Sequence, residues 1–109
     1  MDESLSELKQ KLNRRHKVNL KHYIKQLHET KTKQIVFRWG CPNSTTGCCA
    51  TTVILEVFEG KSGGYTLGTF RDIFGESIGL TLYSKIMRWN DRYQLTFKQI
   101  ADKLEKELL

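Results

Sequence analysis

The chain has a single proline, Pro42, and only three cysteines, all inside the stretch GCPNSTTGCC from Gly40 to Cys49. An odd number of cysteines, two of them adjacent, makes a poor disulfide framework and points to a reducing compartment. No apolar run approaches the roughly 18 residues that a membrane span needs. The opening MDESLSELKQ lacks the basic-then-apolar layout of a secretory signal. A cytoplasmic protein with no membrane partner is the expectation, and the glycosylation pattern Asn43-Ser44-Thr45 carries no weight without a secretory route. Acid is scarce in one place: residues 9–38 hold one acidic side chain, Glu29.

What is present fits one soluble, folded domain. A chain of 109 residues is large enough for one core and too small for two. Its 39% hydrophobic content lies slightly below the globular norm and its 28% charged content slightly above. Eleven aromatics and the β-branched run Thr51–Ile54 supply enough apolar surface to offset chain entropy, which argues against disorder. The net charge is +6. Residues 1–8 are acidic, residues 9–38 carry ten lysines and arginines, and from residue 39 onward eight basic side chains balance eight acidic ones. The whole excess therefore arises in 9–38.

Apolar spacing divides the chain. Leu5, Leu8 and Leu12 make one helical stripe, and Leu20, Tyr23, Ile24 and Leu27 another. The intervening NRRHKVN, 13–19, leaves open two helices or one kinked helix, with Asn19 able to cap the second. Gln34–Gly40 alternates Ile35, Phe37 and Trp39 on one face and reads as a strand. Ala50–Glu59 is apolar on both faces and reads as a central strand, and Tyr65–Gly68 as a short third one after the turn EGKSGG. Helical spacing then returns. Phe70, Ile73 and Phe74 form a short helix that Thr69 could cap and Gly75 could end; Ile78, Leu82, Ile86 and Trp89 form a longer one, weakened near its start by Gly79. The last helix is the best signalled. Thr96 and Gln99 make a capping box, Leu95 and Ile100 a hydrophobic staple, and Phe97, Ile100, Ala101, Leu104 and Leu108 the inner face.

Several motifs fail on their chemistry. Gly60-Lys61-Ser62 lacks the earlier glycine of a phosphate-binding loop, because Leu55 occupies that position. His16, His22 and His28 are six residues apart, so each turns about 240° from the last on a helix and they cannot converge on one metal. Cys41, Cys48 and Cys49, with His28 as a fourth ligand, fit zinc poorly, since structural sites pair ligands two to four residues apart. Buried packing suits Cys48 and Cys49 better. Cys41 is left as an exposed thiol with no base or cation fixed beside it. Phe70–Trp89 resembles a helix-turn-helix only loosely, because Glu76, Thr81 and Ser84 fall where buried apolar residues are needed.

The reading is an α+β fold: N-terminal helices, a central antiparallel sheet of two or three strands, and C-terminal helices packed on one face. No catalytic constellation, metal ligand set or cofactor motif stands out. The expected function is a non-enzymatic nucleic-acid-binding or regulatory protein that contacts phosphates through Arg14, Arg15, Lys17, Lys21 and Lys25. The alternative is a protein-interaction module, an inhibitor, adaptor or homodimer, using aromatics such as Trp39, Tyr65, Trp89 and Tyr93.

Overall fold

The structure is a computed structural model that describes residues 5–31, 34, 50–58 and 66–109. Its described residues are mostly helical and contain no strand, so the fold is all-α and not the α+β architecture expected from the sequence. The helices are α1 (Leu5–Lys11), α2 (Arg14–Glu29), α3 (Ile54–Val57), α4 (Thr66–Phe74), α5 (Glu76–Asp91) and α6 (Phe97–Leu108).

The junction between α1 and α2 lies at Leu12–Asn13, and Asn13 makes it. Its Oδ1 accepts the His16 amide at 2.8 Å while His16 Nδ1 accepts the Asn13 amide at 3.3 Å. This reciprocal box uses an imidazole where a glutamate or glutamine usually stands. Asn19, offered as a cap by the sequence, lies inside α2.

The expected central strand, over its described part, is a turn running into α3. Amides of Val53, Ile54, Leu55 and Glu56 each bond the carbonyl three residues back, at 2.9–3.3 Å, and Phe58 bonds Ile54 at 3.0 Å. An apolar run this short suits a buried strand or a buried helical turn equally, and tertiary packing decides. Ala50, Val53 and Ile54 are fully buried while Glu56 is exposed, which is helical spacing and not alternation. The expected third strand is corrected too: Thr66, Leu67 and Gly68 form the first turn of α4, and Thr69 is buried within that helix instead of capping it. The first strand beyond Gln34, the turn at 59–64 and all three cysteines lie outside the described residues.

Gly75 separates α4 from α5 at φ 85° and ψ 162°, a conformation adopted almost only by glycine that costs a Cβ-bearing residue about 1–3 kcal/mol. Four residues on, Gly79 lets the two helices touch. A Cβ there would lie 2.5 Å from the Phe70 carbonyl oxygen and 2.8 Å from Arg71 Cα, so its absence sets the α4–α5 spacing. Helix α6 begins at the expected box, with Thr96 Oγ1 accepting the Gln99 amide at 3.1 Å and Gln99 Oε1 accepting the Thr96 amide at 2.9 Å. Its inner residues Phe97, Ile100, Ala101, Leu104 and Leu108 are all buried, and α2 packs along it, with Leu20, Ile24 and Leu27 in the same core.

One polar junction crosses this core. Asn90 is fully buried in α5, and its Oδ1 accepts the Ala50 amide at 3.0 Å and Gln34 Nε2 at 2.7 Å. Gln34 Nε2 also donates to the Leu95 carbonyl at 2.7 Å, and Gln34 Oε1 accepts the Phe97 amide at 3.0 Å, at the start of α6. The Ala50 carbonyl receives the Tyr23 hydroxyl from α2. No buried side-chain nitrogen or oxygen among the described residues lacks a partner, as a stable core requires.

Candidate nucleic-acid interface

The basic residues singled out in the sequence sit on α2, whose inner face is fixed by Leu20, Tyr23, Ile24 and Leu27. At about 100° per residue, Lys17, Lys21, Arg14 and Lys25 fall in one arc of about 80° along the edge of that inner face, beginning about 20° from Ile24. Along the axis, Arg14 to Lys25 spans about 16 Å at 1.5 Å per residue. Arg14, Lys21 and Lys25 are exposed and Lys17 is half-buried at the edge. Val18, 46% exposed, places an apolar side chain beside this row.

Arg15 does not join them. It points about 100° away from Arg14, toward a cavity of about 450 Å³ that it lines with Asn13, His16, Phe58 and Asp72. The five cations considered together in the sequence therefore divide into a row of four and one outlier. None of the five makes an ion pair among the described residues, whereas Arg71 pairs with Glu76 at 2.8 Å and Lys103 with Glu107 at 3.5 Å.

A second wall comes from α6 and was not legible in the sequence. Lys106 faces Lys21 and Lys25 across a pocket of about 680 Å³ with Ile24 and Leu109 among its lining residues. Glu29 and Glu105 also border it, so its charge is mixed, and Glu29 ends α2 one turn beyond Lys25. The histidines go separate ways. His16 serves the cap and lies 6.1 Å from the Phe74 ring, His22 is exposed, and His28 Nε2 is 3.5 Å from Asp102 Oδ1.

The aromatics named for a partner surface also divide. Trp89 is buried, with Lys103 Nζ 5.3 Å from its ring centre, whereas Tyr93 is 59% exposed. Trp39 and Tyr65 lie outside the described residues. Tyr83 has its phenol pushed above the ordinary tyrosine value, first by burial and then by the nearby Asp91 carboxylate. No helix among the described residues is long and apolar enough to cross a membrane. Compared with models of protein families, with curated proteins and with solved structures, the chain matches none.

Proposed function

We propose that the protein is a non-enzymatic nucleic-acid-binding or regulatory protein that contacts backbone phosphates through one exposed edge of α2. The observation that carries this reading is the row Arg14, Lys17, Lys21 and Lys25, four cations on one helical edge with no ion-pair partner among the described residues. Such a row binds a polyanion by releasing its condensed counterions, which needs charge density and no base-reading motif. Its length of about 16 Å faces on the order of ten phosphate charges along a duplex axis.

Four neutralised phosphates give a slope of log affinity against log salt of about −3.6, which is about a hundred-fold loss between 50 and 200 mM salt. Fluorescence anisotropy with a labelled DNA duplex and a labelled RNA strand measures this directly. Changing Arg14, Lys17, Lys21 and Lys25 together to glutamine removes the binding and its salt dependence. If the wild-type chain shows no salt-sensitive binding to either probe at low ionic strength, the reading fails.

A further inference from the structure

The last turn of α2 and the middle of α6 bring three donor groups of mixed chemistry together. His28 lies near the end of α2, and Asp102 and Glu105, three residues apart, share one face of α6. One ligand atom from each of the three lies within 4.8 Å of the other two. His28 Nε2 and Asp102 Oδ1 are 3.5 Å apart. We propose that His28, Asp102 and Glu105 form a binding site for a divalent cation of the zinc class that clamps α2 to α6. The proposal is independent of the phosphate-binding reading.

The geometry suits such an ion. Zinc holds nitrogen and oxygen donors at about 2.0–2.2 Å, so neighbouring donors in a tetrahedral site stand roughly 3.4 Å apart. The His28–Asp102 separation already has that length. The remaining separations, at most 4.8 Å, exceed that length by no more than about 1.4 Å, and all three side chains are exposed and free to rotate. His28 and Glu105 also border the pocket between α2 and α6, where water can complete the coordination shell.

The donor set chooses the metal class. Magnesium and calcium take all-oxygen shells, and an imidazole shifts preference to zinc, cobalt or nickel. Two local fields oppose each other. Lys21, Lys25 and Lys106 border the same pocket and repel a cation, while the partial negative charge at the C-terminal end of α2 attracts one. Two carboxylates supply the balance, because they neutralise the ion's charge directly. Histidine spacing alone excluded a site made of histidines; the partners come from a helix more than seventy residues away.

The test is thermal unfolding of the full chain, cysteines reduced, with increasing Zn²⁺ and in parallel with Mg²⁺. Zn²⁺ at about ten times its dissociation constant raises the midpoint by roughly 5–10 °C, and Mg²⁺ at the same concentration does not. His28→Ala, Asp102→Asn and Glu105→Gln each lose most of that rise while keeping a metal-free midpoint close to wild type. The absorption spectrum of the Co²⁺-loaded wild type shows no sulfur-to-cobalt charge-transfer band, which separates this site from the cysteines. No rise in the wild type, a rise that survives His28→Ala, or a strong sulfur band overturns the proposal.

Discussion

Replacing Asn90 with alanine tests the polar junction that joins α5 to Gln34, Ala50 and the start of α6. The substitution removes the Oδ1 that accepts the Ala50 amide at 3.0 Å. Ala50 is fully buried, so its amide loses its partner where water cannot replace it, at a cost of about 1–3 kcal/mol. The lost amide group leaves a void on the order of 30 Å³, worth about 1 kcal/mol more. Gln34 keeps its bond to the Leu95 carbonyl, which limits the loss on that side. The total is about 2–4 kcal/mol, or a midpoint lowered by about 10–25 °C in a chain of this length. Urea unfolding should show the midpoint fall with an unchanged slope, since the surface exposed on unfolding is the same. Amide exchange should quicken at Ala50, and at Phe97 as Gln34 loosens. An Asn90→Ala protein within about 0.5 kcal/mol of wild type would refute the argument that this junction holds the core together.

Two further substitutions probe separate features. Gly79→Ala gains about 1 kcal/mol of helix propensity, yet its Cβ would lie 2.5 Å from the Phe70 oxygen, a backbone atom that cannot swing aside. Forcing α4 and α5 apart costs about 1–3 kcal/mol or more, so chemical denaturation should show a net loss, and an equal or more stable variant sinks the close-packing account. Tyr83 holds its proton in the folded state to higher pH than in the unfolded chain, because burial and then Asp91 disfavour the phenolate. The stabilisation is complete below the ordinary tyrosine range near pH 10 and is lost as pH rises through the raised value. Tyr83→Phe should therefore flatten the alkaline fall in unfolding midpoint relative to wild type, and identical alkaline profiles would contradict the buried-phenol reading.

The parts of the fold legible in the sequence are those specified by local rules. Helix α6 carries its own start signal in Thr96 and Gln99 and a single apolar face, so neighbours only several residues apart define it. Residues 50–58 have no such signal. Their β-branched side chains favour a strand locally, and what favours helical turns is contact with Tyr23 and Asn90, 27 and 40 residues away along the chain. The Asn13–His16 box escaped the usual template because the reciprocal acceptor is an imidazole. Gly79 shows the limit of propensity: the rule that glycine weakens a helix holds for an isolated helix and reverses where a second helix lies against it. The basic segment was visible as composition. Its division into a row and an outlier needed Arg14 and Arg15 to lie within α2, where the Asn13 cap puts them, and Lys106 needed the packing of α6 on α2.

That division allows binding to be separated from folding. Arg14, Lys21 and Lys25 are exposed and make no ion pair among the described residues, so glutamine at each position removes charge without opening a void or stranding a buried partner. Mutual repulsion along the row falls as well, and the unfolding midpoint should hold or rise slightly. Each neutralised contact should lower the magnitude of the salt slope by about 0.9. Lys21→Gln, in the centre of the row, should show that decrement. Arg15→Gln, at a different cavity that Asp72 also lines, should leave the slope unchanged. Equal decrements at Arg15 and Lys21 would mean that the polyanion responds to overall charge and that α2 presents no defined binding edge.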